Sequence, residues 1–304
     1  MLSTEDLRFF GVVAGSQTLA AASRELDVTP SAITQRLQLL EKRLGLRLID
    51  RSGRRLQLTD EGELLIQSTQ KILDDIGMLE AELDSRRGIV AGQLRILAPL
   101  GFGRRYVAPL VARFRSQYPR VYPLLMLSDR PLRETDQAWD VMVHIGEMHD
   151  SSLVAQKLAP NRRIVCAAPE YLARRGTPQA PEELADHDCI ALRENEEDVT
   201  LWRFTHSNQE SLAVRVKPVI ASNDGDVVRG WGIGGAGVMV RSEWDVAESL
   251  RDGSLVELLP EWSLPPADVM VMFGSRNGRA QKTLCFAQFL RAELGAIPWR
   301  TRAG

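Results

Sequence analysis

Hydrophobic positions along this chain change period near residue 90, from helical spacing to short apolar runs broken by amphipathic stretches. Near the start, Leu7, Phe10 and Val13 recur at helical intervals and predict a first short helix. Thr18 is placed to cap a second, "LAAASREL", whose Ala21, Ala22 and Ser23 permit close helix–helix approach; Asp27 and Val28 make the next turn. Thr29 followed by Pro30 is a strong start signal, a hydroxyl N-cap before proline at the first helical position. In this third helix Ile33, Leu37 and Leu40 share an inward face, while Ser31, Gln35, Gln38 and Lys42 point the other way with Thr34 at the flank. After Gly45 the segments "LRLIDR" and "RLQLT" alternate on either side of "SGR", which predicts a hairpin with Arg51, Arg54 and Arg55 near its tip.

A long helix follows, capped by Thr59 and running through "DEGELLIQSTQKILDDIGMLEAELDSRR". Leu65, Ile72 and Leu79 repeat every seven residues, as do Gly62, Thr69, Ile76 and Leu83, so the pattern is an a/d seam with Gly62 and Thr69 as its weak points. Gly77 costs this helix about 1 kcal/mol relative to alanine. "GIVAGQ" reads as a hinge into a separate body, so the helix is expected to pair two chains rather than cover its own core. From "LRILAP" onward, strand-like "VYPLLML", "WDVMVHIG", "RRIVCAA" and "DVMVMF" alternate with helical patterns such as "RRYVAPLVARFRSQYP" and "AQKTLCFAQFLRAEL", which is α/β architecture.

Composition narrows the picture. A chain of 304 residues, 44% hydrophobic, can bury a sizeable core and divides naturally into two or three domains. Its longest apolar runs fall far short of the ~20 residues a membrane span needs, and "MLSTEDLRFF" lacks the basic and apolar regions of a signal peptide. Three scattered cysteines, Cys166, Cys189 and Cys285, are no disulfide framework and fit a reducing cytoplasm. Net charge is −2, yet the first 58 residues hold nine basic against six acidic side chains, a mildly basic head on an acidic body.

The outer face of the third helix is short, polar and able to donate and accept hydrogen bonds, which suits a recognition helix whose first turns meet base edges and phosphates. Taken alone it equally suits a solvated surface; the basic hairpin behind it, read as a wing whose arginines neutralise phosphates or enter the minor groove, favours DNA. Gln35 is the natural adenine reader, and Thr29, Ser31 and Thr34 can reach phosphates, base edges or a thymine methyl. "GIGGAG", Gly232–Gly237, follows a helical segment and precedes a strand, the reverse of a dinucleotide fingerprint, and reads as a helix end and turn. No hydrolase, P-loop or metal-ligand spacing is present, so no enzyme activity, cofactor or metal is expected. Cys166 and Cys189 open a rival reading as a redox switch, although "IVCAA" looks buried and inert.

The run "AAASRELDVTPSAITQRLQLLEKRLGLRLIDRSGRRLQLTDEG" resembles, without gaps, the winged helix-turn-helix of LysR-type transcriptional regulators. "CAAPEYL", "HDCIALRE", "WRF" and "SND" are similar to segments of one branch of that family. The resemblance implies an N-terminal winged helix-turn-helix over 1–58, a dimerising linker helix and hinge over 59–91, and an effector-binding domain over 92–304. That last part would be a two-lobed Rossmann-like body similar to periplasmic solute-binding proteins. Lobe 1 would span about 92–162 and 268–304, lobe 2 about 163–267, with crossings near Asn161–Arg163 and Pro265–Asp268.

Carried onto this sequence, the resemblance places the base-contacting segment on Pro30, Ser31, Thr34 and Gln35, flanked by Thr18, Thr29 and Gln38, and the wing contacts on Arg51, Arg54 and Arg55. Gln35 stands where relatives often have arginine or lysine. Effector contacts are expected from Pro99, Leu100, Gly101 and Phe102, from Ser128 and His144, from Glu194, Asn195 and Trp202, and from Ser222, Asn223 and Asp224, the last three equally readable as helix caps. His144 stands where arginine is common, which argues against a strongly acidic effector. The implied partners are double-stranded operator DNA with partial dyad symmetry, a small-molecule effector, a second copy of the chain in a dimer or tetramer, and RNA polymerase.

Overall fold

The computed structural model describes residues 2–50, 56–87, 89–129, 139–146, 155–193, 199–208, 210–274 and 280–301. Arg51, Arg54, Arg55, Glu194 and Asn195 lie outside the described residues. Two compact units divide the chain, Met1–Leu83 and Asp84–Gly304.

In the first unit, α1 (Thr4–Gly15) begins in a capping box between Ser3 and Asp6, α2 (Leu19–Glu25) is capped by Thr18, and α3 (Pro30–Leu44) is capped by Thr29 and ends at the left-handed Gly45. Between α2 and α3, Asp27 adopts φ +52°, a conformation that Asp tolerates better than most side chains. Phe9, Phe10, Val13, Ala22, Ile33, Leu37 and Leu40 close one core, joined by Leu48 and Ile49. A two-residue ladder pairs β1 (Ile49–Asp50) antiparallel with β2 (Gln57–Leu58), and the Glu41 carboxylate accepts from the Leu48 and Ile49 amides, fastening this hairpin to α3.

The long helix α4 (Asp60–Arg86) opens with the Gly62 amide donating to the Thr59 hydroxyl. Its seam is not the uniform stripe that the heptads suggest. Ile72, Leu79 and Leu83 are exposed, whereas Thr69 is buried and Gly62 presses on the hairpin: a Cβ at 62 would stand 2.2 Å from the Leu48 carbonyl oxygen. Gly62 is therefore a packing requirement of the head rather than a defect in the seam. Among the described residues no helix is long and apolar enough to cross a membrane.

The second unit holds two five-stranded sheets. The first contains β3 (Gly92–Pro99), β4 (Val121–Ser128), β5 (Val141–Ile145) and β6 (Ala155–Ala159), with helices α5 (Leu100–Phe102) and α6 (Ala108–Gln117) between β3 and β4. The chain then enters the second sheet with β7 (Arg163–Ala167), followed by α7 (Pro169–Arg175) and β8 (Cys189–Leu192). A hairpin of β9 (Leu201–His206) and β10 (Ser211–Arg215) precedes β11 (Pro218–Ser222), α8 (Gly225–Ile233), β12 (Val238–Ser242), α9 (Glu243–Arg251) and β13 (Val256–Leu258). After β14 (Trp262–Ser263), the chain returns to the first sheet as β15 (Val269–Phe273). The first sheet has the order β4-β3-β5-β15-β6 and the second β11-β8-β12-β7-β13; in each, three parallel strands meet one antiparallel strand that sits second from the edge. The two sheets are thus the same unit built twice, and each accepts its antiparallel strand from beside a crossing.

A third, antiparallel sheet, β10-β9-β14, lies outside the α/β pattern read from the sequence. Helical residues Leu100–Gln117 pack on the first sheet through Phe102, Val107 and Phe114, opposed by Phe286 and Leu290 of the closing helix Gln281–Gly295. Asn161 staples the crossings: its amide Nδ2 donates to the Ala267 carbonyl (2.7 Å), its backbone N–H to the Asp268 carboxylate (3.3 Å), and its Oδ1 accepts from the Trp244 amide (3.3 Å). The glycine run closes α8, with Gly235 at φ +73° before β12, and a Cβ at Gly237 would stand 2.3 Å from the Asp188 carbonyl oxygen, so the run is a tight turn.

Candidate nucleic-acid interface and ligand cavity

On α3 the buried Ile33, Leu37 and Leu40 turn Ser31, Gln35 and Gln38 to solvent, with Thr34 half-buried. The small hydroxyls of the first turn are partly spent. Thr29 Oγ1 accepts from the Ala32 amide (3.3 Å) and lies 3.0 Å from the Ser31 hydroxyl, and Thr34 Oγ1 donates back to the Pro30 carbonyl (3.0 Å). Thr18 likewise caps α2 by accepting from the Ala21 amide. Gln35 and Gln38 are thus the side chains on this face whose donors and acceptors stand clear of the helix, the arrangement a base edge requires. Arg36, next to Gln35, is instead drawn inward: its guanidinium lies 4.6 Å from the Phe9 ring centroid and donates to the Glu5 carbonyl. A buried Asp6 fixes α1 to the end of α3 through Arg43 (2.7 Å); this hydrogen bond, with those from Ser3, holds the Asp6 carboxyl at about 2.

In the second unit a cavity of about 540 Å³ opens where strands of the two sheets end. It gathers Pro99, Gly101, Phe102, Ser128, His144 and Trp202 of the sequence-predicted residues. Pro99 ends β3 opposite Ser128 and serves as N-cap without a side-chain hydrogen bond, so the first helical N–H groups carry no side-chain cap. Gly101 is needed for space, since a Cβ there would lie 3.1 Å from the Trp244 ring. His144 is buried to 3% exposure on β5. Trp202 supplies a buried wall, its indole N–H donating to the Val199 carbonyl (3.2 Å).

Four predicted residues are not part of the lining. Leu100 lies half-buried beside it. Ser222 and Asp224 are consumed locally: Ser222 Oγ accepts from the Asp224 amide, and Asp224 accepts from the Asp226 amide as the α8 cap and pairs with Arg104 (3.3 Å). Asn223 donates to the Asp129 carboxylate (2.7 Å).

The sequence reading missed the cavity's charge. Arg163, Arg203 and Arg241 all line it, against Asp129 as the acidic residue among the described lining. Arg241, 4% exposed, donates to Asp245 (2.8 Å), a buried carboxylate that Arg229 also engages. A Cβ on Gly146, which has φ +113°, would lie 3.5 Å from an Arg163 nitrogen and 4.0 Å from His144 Nε2, so these two groups share one corner. A signal for Arg241 was present: "VMVH" ends at His144 on β5, and "VMVR" ends at Arg241 on β12, the corresponding strand of the second sheet.

The buried thiols Cys166 and Cys189 are pushed up to about 12 by desolvation. They lie on β7 and β8 with β12 between them, two strand spacings or about 9–10 Å apart, beyond disulfide reach. Among the described residues no group of three or more His, Cys, Asp or Glu is placed to hold a metal ion.

Known proteins carry the same plan. A model of the bacterial regulatory helix-turn-helix protein of the lysR family matches residues 4–63, and one of the LysR substrate binding domain matches residues 87–295. The HTH-type transcriptional regulator DmlR of Escherichia coli (strain K12) is 35% identical over 94% of this chain and 92% of its own. The HTH-type transcriptional activator TtdR of the same strain is 32% identical over 95% and 92%. Full-length AphB, a Vibrio cholerae virulence activator, superimposes with a TM-score of 0.63 at 28% identity, covering 96% of this chain and 99% of AphB. With both family models matched in order and relatives aligned almost end to end, this chain belongs to the LysR family of transcriptional regulators.

Proposed function

We propose that this regulator reads operator DNA through the outer face of α3 and the arginines of its wing, and that a small molecule held in the body cavity alters DNA binding or transcription activation. The observation that carries the reading is the pairing of a DNA-binding head with a walled cavity at the strand ends of a two-lobed body, in the family order. The exposed Ile72, Leu79 and Leu83 on α4 support dimerisation through this helix, with two heads meeting two half-sites. The cavity would act by stabilising one relative arrangement of the lobes over another. Burial of Cys166 and Cys189 weighs against the redox alternative.

The test is selection of binding sites from random duplex DNA by the full chain, followed by a reporter driven from a selected site. Recovered sites with partial dyad symmetry, and a reporter response altered by the cavity-filling Ser128→Trp, support the proposal. Sites without symmetry or preference would remove the operator reading. A reporter indifferent to Ser128→Trp would remove the effector reading.

A further inference from the structure

We infer that the effector is a small organic acid with two carboxylates, engaged by the guanidiniums of Arg163 and Arg203; this rests on the effector reading proposed above. Arg163 begins β7 directly after the first crossing and is half-buried; Arg203, exposed on β9, is part of the same cavity's lining. Neither forms an ion pair or side-chain hydrogen bond with any described residue, in contrast to Arg241, which Asp245 neutralises. Asp129 cannot balance both cations, and its carboxylate is already engaged by Asn223. The Arg163 guanidinium is partly withdrawn from water and has no counter-charge among the described residues, which is costly; Arg203 adds a second cation at the exposed side of the cavity, and bidentate pairing with a carboxylate is the geometry that suits both.

Two further features add to the same field. His144 shares the Gly146 corner with Arg163, and an imidazole N–H can donate a hydrogen bond to a carboxylate held there. The helical run that follows Pro99 also meets the cavity, with Gly101 and Phe102 in the lining and its first N–H groups without a side-chain cap. Trp202, Trp244 and Leu264 leave apolar wall for a short carbon skeleton between the two charged ends. A dicarboxylate effector departs from the reading of His144 as an argument against a strongly acidic effector.

The experiment uses the full chain with succinate and glutarate as probes, and butyrate, succinamide and glucose as controls, at matched ionic strength and followed by thermal shift. A saturable upward shift with succinate or glutarate, weakened roughly tenfold or more by Arg163→Gln and by Arg203→Gln and partly kept by Arg163→Lys, is expected. Arg203 is exposed, so R203Q serves as the variant whose folding is safe, and unliganded melting temperatures check both. Equal shifts with butyrate, or a shift confined to succinamide or glucose, or diacid shifts indifferent to both arginine variants, would each overturn the diacid inference while leaving an effector site. No shift with any probe also overturns it. The Ser128→Trp reporter then separates the two readings: a changed response means the cavity senses something else, and an unchanged one means the effector reading has failed as well.

Discussion

Replacing Gly62 by alanine sets helix propensity against packing, and the two predict opposite signs. Alanine in place of an exposed glycine inside a helix gains about 1 kcal/mol. Gly77 meets that condition, with nothing within 4 Å of its would-be Cβ. At position 62 the same atom would stand 2.2 Å from the Leu48 carbonyl oxygen and 3.1 Å from its carbon, and that carbonyl also accepts the Thr59 amide. Because the obstacle is backbone, relief requires moving β1 or the start of α4. Overpacking of this kind costs about 1–3 kcal/mol, here toward the upper end, so Gly62→Ala should destabilise the head by about 2 kcal/mol net. Hydrogen exchange at the Leu48 and Ile49 amides reads the head separately from the body, which global unfolding of a multi-domain chain does not. About 2 kcal/mol corresponds to roughly 30-fold faster exchange; Gly77→Ala should leave these amides unchanged or slower. Equal protection in the two variants would refute the packing account of Gly62.

Three further outcomes are expected. Gln35→Ala should relax preference at one operator position at a cost of about 1–3 kcal/mol, measured by competition among site variants, and uniform weakening on all DNA would remove its base-reading role. Asp6→Asn should cost the head about 1–2 kcal/mol at neutral pH, discounted for the half-exposed Arg43; since the folded carboxyl is lowered from 3.8 to about 2, the difference from wild type should be full above about pH 4 and vanish as pH falls toward 2, and a pH-independent difference in head-amide exchange would contradict the ion pair. Alkylation of the folded chain at neutral pH should reach the half-exposed Cys285 well before Cys166 or Cys189, and peroxide modification of either buried thiol first would revive a redox role.

The head was legible almost residue by residue, because its information is local. Caps at Thr18 and Thr29, proline at position 30 and the Ile33–Leu37–Leu40 face are decided within one helical turn of each other. The role of Gly62 was not, since its constraint is the Leu48 carbonyl, reached only when the hairpin folds back onto α4. In the body, strand ends were readable, and they placed Pro99, Gly101, Phe102, Ser128, His144 and Trp202 at one cavity. Ser222 and Asp224 were readable as caps or ligands because hydroxyl and carboxylate groups at a helix start serve both, and the fold uses them as caps. Arg163 was missed because an arginine flanking an apolar run reads as a solvated end, and Arg203 because a charged residue alternating with Trp202 and Phe204 reads as the solvent face of a strand.

The position of β15 bears on how the chain comes off the ribosome. It lies between β5 and β6 in the first sheet, yet it follows β6 by roughly 110 residues, about 5–20 s of synthesis at ordinary elongation rates. During that interval β6 has no hydrogen-bonded neighbour, and β5, with four of its five residues destined for burial, presents an open edge. The head and α4 emerge first and depend on nothing downstream in their own unit. If chains pair through α4 as proposed, they can do so while their bodies are still incomplete, and the vulnerable species in biosynthesis is then a tethered dimer with two open sheets.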